Sequence, residues 1–552
     1  MNKDNNKPFE AAKRGASAAK GFRGSDKTKR KPYDPRKQKP SAEGLNPKSG
    51  KPFELKDDLK REARAYKGKD GLKPGDRLQA GGKTSPQNGR PLEKAPGAVR
   101  RETKSVEAGS ARLVALRALY DVYYLNTYSN LSLDKQLKGT ALSAEDRRLA
   151  TNIFYQCVEN RYKIDFMLSP FVKQEPEQII TCILHIAAAQ IMFLDRVPDF
   201  AAVNEAVNQA KLYKRESSAG FVNVVLRNLL RAKEANEIHL PKREDDPYKY
   251  LEIEYSASED TVKLLADAFG LDETEKILAY KPSERRDTVR PNLLRTSDDA
   301  LEQSLTEQGI QWENAPVPHG YYVKNAGGMA QSDIYKQGLI SIQGVSAMLA
   351  AMALEPGHGM NIVDACAAPG GKAAYICELM QGSGRVYAWD LHEHRVELMK
   401  QNGKRLGLDN LRCAVRDATV LKEDMTRLMD GVLIDAPCSG LGVISDKPDI
   451  KYHLTKAKFY DIVKTQRALI DTCCEYVKVG GRLVYSTCTL LPEENEKQIE
   501  QFLLSHPEFR LDTSDSYLPE HFKPLLKDGM LTLMEHRDGV EGFFIARLIR
   551  VI

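Results

Sequence analysis

Two cysteines and one glycine turn are the residues of this 552-residue chain whose types and spacing could do chemistry. Cys438 follows the apolar run Val432-Leu433-Ile434, and Cys488 follows the apolar run Leu483-Val484-Tyr485. Each run predicts a buried parallel strand. Because ligands collect at the carboxyl ends of strands in an open α/β sheet, the sequence predicts two thiols at one reaction centre, beside the glycine turn of residues 364–372.

A pair of thiols at one site is suited to methylation of a pyrimidine ring at C5. That carbon is a weak nucleophile until a thiolate adds to C6 and makes the ring electron-rich. The covalent adduct must then lose the C5 proton and the first sulfur, and a second group helps that release. An unperturbed thiol has a pKa of about 8.5 and is mostly protonated at neutral pH. Neighbouring cations or helix N-termini would therefore be needed to favour the thiolate. The alternative is that both cysteines are buried and structural.

The glycine turn predicts a cofactor site. Asn361-Ile362-Val363-Asp364 reads as a strand, Pro369-Gly370-Gly371 as a turn, and residues 372–380 as the start of a helix, whose N-H groups face a ligand. The turn lacks the Gly-x-Gly-x-x-Gly spacing of dinucleotide folds. It is not a phosphate loop either, because Ala373 follows Lys372 where Ser or Thr would be needed.

Three acids at successive strand ends support this site. The strand over residues 386–390 ends at Asp390, 19 residues beyond Gly371, which suits a carboxylate that binds ribose hydroxyls. Asp417 follows the strand Leu411–Val415 and is predicted to meet an adenine edge. Asp435 ends the fourth strand, where its carboxyl group could bond the N3 and N4 edge of cytosine.

In order and content, these motifs resemble the Nop/Sun family of RNA cytosine-5 methyltransferases. The resemblance implies that Cys488 attacks C6 and that Cys438 assists release, whereas DNA cytosine methyltransferases use the Pro-Cys cysteine as the nucleophile. It also implies S-adenosylmethionine as the methyl donor. The resemblance places the donor at Cys366, Ala367, Ala368, Pro369, Gly370, Gly371, Lys372, Asp390, Asp417 and Asp435.

Composition bounds the class of protein. The nine cysteines have neither Cys-x-x-Cys nor Cys/His zinc spacing, which predicts reduced thiols in a cytoplasmic protein without a metal site. No run of 18 apolar residues occurs, so we expect no membrane-spanning helix. The lysine-rich start lacks the apolar centre of a signal peptide.

The basic charge lies in residues 1–105. They hold 29 Lys and Arg against 13 Asp and Glu, a net charge of +16 that leaves −10 on the other 447 residues. With little apolar periodicity, this tail is predicted to be disordered. It could neutralise RNA phosphates without reading sequence, or it could only solubilise the chain.

Residues 106–235 predict a helical domain. The apolar steps Ile180, Leu184, Ala187, Ile191, Leu194, then Phe200, Val203, Val207, Ala210, and then Phe221, Val225, Leu229 follow helical spacing. The segments Arg196-Val197-Pro198-Asp199 and Phe221-Val222-Asn223-Val224-Val225-Leu226-Arg227 resemble NusB. In Nop/Sun proteins that act on small-subunit ribosomal RNA, a NusB-like RNA-binding domain precedes the catalytic region.

Residues 236–337 predict a linker and a small α+β subdomain. Arg290 and Asn292 match an Arg-x-Asn element of the RNA-contacting subdomain in the family. The following segment, Gln343-Gly344-Val345-Ser346, lacks the acid that the family pattern has after its glutamine. Residues 338–552 predict the Rossmann-like methyltransferase domain.

The sequence thus predicts a multidomain protein, with a disordered basic tail, an α-helical NusB-like domain and an α/β Rossmann-like methyltransferase domain. The resemblance implies methylation of cytosine C5 in small-subunit (16S) ribosomal RNA, by a chain that we expect to act as a monomer. Two alternatives remain open. One is the same chemistry on tRNA, and the other is a non-enzymatic assembly or antitermination factor that keeps the fold.

Overall fold

The computed structural model describes residues 110–125, 127–138, 140–213, 215–282, 287–324 and 328–552. The predicted basic tail, residues 1–105, lies outside these described residues. Within them, no helix combines the length and the apolar character that crossing a membrane requires.

The NusB-like region is helical, as its apolar spacing predicts. Ser110 and Ser143 cap two of its helices, since each hydroxyl accepts a hydrogen bond from a backbone N-H of the first turn. Its helices are α1 (Ala111–Tyr124), α2 (Ser129–Lys138), α3 (Ala144–Glu159), α4 (Arg161–Leu168), α5 (Gln178–Phe193), α6 (Asp199–Leu212) and α7 (Glu216–Glu234).

The predicted apolar stripe of α6 is partly wrong. The helical spacing predicts that Phe200 lies on the buried side of the helix, but 70% of the residue is exposed. It lies in the first turn of the helix, directly after Asp199, and the buried side is formed instead by the small residues Ala202, Ala206 and Ala210 with Val203. Small side chains let α6 approach its neighbours α5 and α7 closely, and a phenyl ring on that side would hold them apart.

Helices α8 (Pro247–Glu254), α9 (Glu259–Phe269) and α10 (Leu271–Ala279) come next. Their apolar side chains share a core with the segments that follow the cysteine-bearing strands. Leu251 and Leu265, for example, lie in one cluster with Leu441, Leu454 and Leu491. These helices therefore support the segments that carry the thiols.

A small antiparallel sheet follows, with strand order β2-β3-β1-β4. It includes Ile340–Ile342, just beyond the expected end of the subdomain at residue 337. Arg290 and Asn292 are fully buried; Arg290 donates to Gln343 and Glu378, and Asn292 donates to the carbonyls of residues 338 and 406. The elements are β1 (Asp287–Pro291), α11 (Asp298–Glu307), β2 (Gln311–Asn314), β3 (Tyr321–Lys324), α12 (Asp333–Lys336) and β4 (Ile340–Ile342).

The large sheet has the order β11-β12-β13-β9-β8-β5-β6-β7, with β10 beside β13. Strands β5 to β9 run parallel, and β13 lies antiparallel between β9 and β12. Its strands are β5 (Asn361–Asp364), β6 (Arg385–Asp390), β7 (Leu411–Val415), β8 (Met429–Asp435), β9 (Val477–Thr487), β10 (Phe509–Leu511), β11 (Leu526–Lys527), β12 (Met530–Leu533) and β13 (Phe543–Arg550).

Helices cover both faces of this sheet, and each face has its own apolar core. The helices are α13 (Val345–Met352), α14 (Gly371–Leu379), α15 (Glu393–Leu406), α16 (Ile450–His453), α17 (Lys456–Cys473), α18 (Glu496–Ser505) and α19 (Glu535–Asp538). The strand order reverses at β5, which lies between β6 and β8. Such a reversal opens a crevice at the carboxyl ends of the strands, where ligands bind.

Candidate active site

The two cysteines meet at the carboxyl ends of neighbouring parallel strands. Cys488 directly follows β9, and Cys438 comes three residues after β8. The register pairs Asp435 with Ser486, so the two segments that follow β8 and β9 leave the sheet side by side. The Sγ atoms of Cys438 and Cys488 lie 3.2 Å apart, within hydrogen-bonding distance for sulfur.

The surroundings make the two thiols unequal. The hydrogen bond with Cys438 lowers the pKa of Cys488 despite burial, and Lys447 and Lys372 act in the same direction. The same bond, together with burial, raises the pKa of Cys438 well above its usual value. These opposite directions favour Cys488 as the thiolate, in which case Cys438 donates the hydrogen bond between the two sulfurs.

Asp435 is held between two partners from different segments. Its Oδ2 lies 2.7 Å from Lys372 Nζ, and its Oδ1 accepts a hydrogen bond of 3.0 Å from Ser486 Oγ. Burial lowers the pKa of Lys372, but Asp435, Asp364 and Cys488 together raise it above its usual value, so the amine stays charged. The ammonium also lies 5.3 Å from the centre of the Phe543 ring. The ion pair fixes the carboxylate beside the thiols.

The glycine turn connects β5 to α14 in a tight loop. Gly370 has a φ of 100°, which favours glycine, and α14 begins at the next residue. The amide of Ala367 donates to Trp389 O on β6, and Ala368 O accepts from Arg395. The loop thereby lies against the end of β6. Cys366 is half-buried, and Pro369 is exposed.

Asp390 and Asp417 lie at the ends of β6 and β7, as the spacing predicts. Asp390 is 5% exposed; it accepts from the amide of His392 and pairs with Arg395 at 3.1 Å. Asp417 is exposed, and hydrogen bonds from Thr419 lower its pKa. The glycine turn and both acids thus lie at the carboxyl ends of the parallel strands. Their roles toward a ligand stay predictions.

A buried acid that the sequence did not single out lies beneath the turn. Asp364 ends β5 and is fully buried, and its carboxylate has no side-chain hydrogen-bond partner among the described residues. Burial and the neighbouring Asp435 raise its pKa to about 7, against the opposing charge of Lys372. A buried carboxyl group with a strongly raised pKa, at a strand end next to a glycine turn, is typical of a functional site.

Two glycines bring the residues before β13 against the cysteine segments. Gly542 donates to Gly442 O at 2.8 Å, and Gly442 donates to Cys488 O at 2.9 Å. A Cβ on Gly442 would lie 2.2 Å from Gly542 O, and a Cβ on Gly542 would lie 2.5 Å from Gly442 O. The backbone of residue 442 therefore lies between Gly542, which directly precedes β13, and the peptide of Cys488.

Glu494 is a second acid that the sequence did not single out. It follows Cys488 by six residues and is fully buried, whereas its neighbour Glu493 is half-buried and pairs with Lys497. Both acids lie in the run Pro492-Glu493-Glu494-Asn495-Glu496, where spacing alone does not separate a buried acid from a surface one.

Comparisons with known proteins agree with this architecture. The family described as 16S rRNA methyltransferase RsmB/F matches residues 351–549, and the NusB family matches residues 109–231. The order of the two regions is the one that the sequence predicts.

Whole-length relatives extend the match over both regions. The chain is 36% identical to a probable ribosomal RNA small subunit methyltransferase B of Bacillus subtilis, over 80% of this chain and 98% of the relative. A probable protein of the same name from Synechocystis is 34% identical, over 80% and 99%. Among solved structures, the crystal structure of PH0851 has a TM-score of 0.70 at 26% identity, covering 80% of this chain and 98% of that one.

Proposed function

Because this chain belongs to the RsmB/F family of 16S rRNA methyltransferases, we propose that it methylates C5 of a cytosine in small-subunit ribosomal RNA through a covalent bond from Cys488 to C6. The observation that carries the proposal is the 3.2 Å contact between Cys438 and Cys488 at the ends of two parallel strands. Methylation of a pyrimidine at C5 calls for a thiolate that adds to C6, and a partner thiol serves its release. A binding protein needs neither.

S-adenosylmethionine is the methyl donor of this class of enzyme, and the residues present fit it. Asp390 lies at the strand end where a ribose would be bound, and Asp364 offers a buried carboxyl group near the turn, without a side-chain partner among the described residues. We propose that residues 366–372, Asp390, Asp417 and Asp435 hold the donor. When bound, it supplies an electrophilic methyl group next to the cysteine pair.

The proposed reaction follows from the order in which the thiols ionise. The Cys488 thiolate adds to C6, and the electron pair of the C5-C6 double bond makes C5 nucleophilic, so that C5 accepts the methyl group. Asp435, fixed by Lys372 and Ser486, would bond the N3 and N4 edge of the cytosine. The C5 proton is then lost to water, its bonding electrons re-form the C5-C6 double bond, and the C6-S bond breaks with its electrons returning to Cys488. The Cys438 thiol stabilises that departing sulfur by its hydrogen bond.

Bisulfite sequencing tests the reaction and its substrate together. RNA from cells with the gene, without it, and complemented with Cys488→Ala should differ at one cytosine of the small-subunit ribosomal RNA, protected only by the wild-type gene. Loss of protection in tRNA instead would assign the same chemistry to tRNA. Identical patterns in all three strains would support the non-enzymatic alternative. The NusB-like region favours ribosomal RNA, since a NusB-like domain precedes the catalytic region in family members that act on it. An enzyme with this substrate works in the cytoplasm.

A further inference from the structure

The two thiols are carried by separate segments, and one buried carboxylate forms hydrogen bonds with both segments. Glu494 Oε2 accepts a hydrogen bond of 2.8 Å from the amide of Ser439, the residue after Cys438. Glu494 Oε1 accepts one of 2.5 Å from the hydroxyl of the same serine. The side chain is fully buried, so water does not compete for these bonds.

The same carboxylate reaches the segment of the second thiol. Thr489, the residue after Cys488, places its hydroxyl 3.1 Å from Glu494 Oε1 and 2.6 Å from Ser439 Oγ. The residues that directly follow the two cysteines therefore meet at one oxygen atom. Movement of either segment would break a buried hydrogen bond.

Gln466 holds the other side of the Cys438 segment. Its Nε2 donates to Pro437 O and to Glu494 Oε2, both at 3.0 Å. The residues on both sides of Cys438 are thereby tied to Glu494, one directly and one through the amide of Gln466. This fixes the peptide that carries the thiol from two directions.

Asn495 does the same for Cys488. Its Nδ2 donates to Thr489 O at 3.0 Å, and its Oδ1 accepts a hydrogen bond of 2.5 Å from Thr487 Oγ1. The residues before and after Cys488 are thus bonded to one buried amide. We propose that Glu494 and Asn495 are positioning residues, which hold the Cys438 and Cys488 sulfurs in contact without touching the base themselves.

The chemistry of the site favours positioning over packing. Burial raises the pKa of Glu494 despite its bonds to Ser439, Gln466 and Thr489, so the acid has a cost that an apolar side chain of the same volume would not have. An apolar residue would fill the space equally well. An apolar residue could not hold Ser439, Thr489 and Gln466 in defined orientations. A carboxylate that accepts hydrogen bonds from all three does so.

This inference rests on the proposed function, but its test needs neither RNA nor methyl transfer. The groups that act on the Cys488 thiol are Cys438, Asp435, Lys447 and Lys372, with the hydrogen bond from Cys438 the largest influence. Glu494 is not among these groups, although its negative charge contributes to the raised pKa of the partner thiol, Cys438. If Glu494 acts by holding the two sulfurs in contact, its removal weakens the hydrogen bond to Cys488 and raises the pKa of that thiol. If its negative charge acted directly on Cys488, its removal would lower that pKa.

The experiment follows alkylation of Cys488 by iodoacetamide against pH in the full-length protein, with the Cys488 peptide quantified by mass spectrometry. We expect Glu494→Ala to move the midpoint upward by about one pH unit, roughly the scale of one hydrogen bond to an ionised sulfur. Cys438→Ala should give a similar shift, and adding Glu494→Ala to it should give no further one. Glu493→Ala changes the neighbouring acid and should leave the midpoint unchanged.

Two further variants keep the test decisive if Glu494→Ala does not fold. Thr489→Val removes one hydroxyl of the cluster at nearly constant volume and should move the midpoint in the same direction by a smaller amount. Glu494→Gln should stay close to wild type, because the two hydroxyls can reverse and accept from its amide. An unchanged or lowered midpoint in folded Glu494→Ala or Thr489→Val, or additive shifts in the double variant, would overturn the proposal.

Discussion

Ser129 Oγ donates a hydrogen bond of 2.5 Å to Asp449 Oδ1, and both residues are buried although 320 positions separate them in the chain. Ser129 begins α2 of the NusB-like region, and Asp449 belongs to the segment that leads away from Cys438. Close by, the guanidinium of Arg161 lies 4.2 Å from the ring centre of Tyr123 and 4.8 Å from that of Tyr452. The helical region thereby contacts the segment that runs from Cys438 through Lys447 to Tyr452.

Ser129→Ala should lower both stability and turnover. The substitution leaves the Asp449 carboxylate buried without its donor, which costs about 1.5–3 kcal/mol in the free energy of unfolding. Urea denaturation measures this loss, and a several-fold fall in turnover at saturating RNA should accompany it. Ser132→Ala is the matched control, because that buried hydroxyl on the same helix donates to Ala118 O within the helical region. It should reduce stability only. Equal turnover in the two variants would contradict the role of the Asp449 contact.

Cys488→Ala should abolish methyl transfer and leave binding of the methyl donor nearly unchanged, because the thiolate acts on the base. Single-turnover assays and calorimetric titration with S-adenosylmethionine measure the two properties. Cys413→Ala, at a half-buried cysteine of β7, serves as the control and should keep full activity. A rate above a tenth of wild type in Cys488→Ala would remove Cys488 as the nucleophile.

Cys438→Ala should trap the covalent intermediate. Without the hydrogen bond to the departing sulfur, the adduct breaks down slowly, and protein and RNA migrate together on a denaturing gel. The band should be absent from the double variant Cys438→Ala with Cys488→Ala. Its appearance in Cys488→Ala alone would reverse the roles of the two cysteines.

Asp364→Asn should stabilise the protein at neutral and alkaline pH. The folded state raises the pKa of Asp364 to about 7, above the value of about 3.9 for an unfolded chain. The folded protein therefore holds an extra proton between these values and loses stability as the pH rises through this window. The variant lacks this loss, so its advantage in urea denaturation should grow from pH 5 to pH 7 and then level off. Three pH units set an upper bound of about 4 kcal/mol. No advantage at pH 8 would contradict the raised pKa.

Removal of residues 1–105 should weaken RNA binding and make it less dependent on salt, since up to 29 cations are lost. The slope of log affinity against log salt concentration measures the effect. A tail of equal length with Gln at its basic positions should behave like the truncated chain. If the slope stays at its wild-type value in both, the tail does not contact phosphates.

Local sequence was sufficient for the strand ends. The apolar runs before Cys438 and Cys488 predicted β8 and β9, and the acids at positions 390 and 417 marked the ends of β6 and β7. These features depend on a few consecutive residues. A parallel strand that is buried on both faces is a short run of apolar residues, and the first polar residue marks its end. The same reasoning failed at Phe200, because helical spacing fits both sides of a helix that has apolar residues on each.

Contacts between distant segments could not be predicted. The pairing of Lys372 with Asp435 and the bonds of Glu494 to Ser439 depend on how strands are ordered in space. The segment of residues 343–346 has no acid of its own, yet Glu541 brings a carboxylate to it. That carboxylate accepts hydrogen bonds from the amide and hydroxyl of Ser346, 195 positions away.

The contact between Gly442 and Gly542 has a genetic consequence. A clash between two side chains can be relieved by a second mutation that shortens one of them. Here each added Cβ would meet a carbonyl oxygen of the opposite backbone, and no codon change removes a carbonyl oxygen. Loss-of-function alleles at either glycine should therefore revert only at their own position, without suppressors at the other.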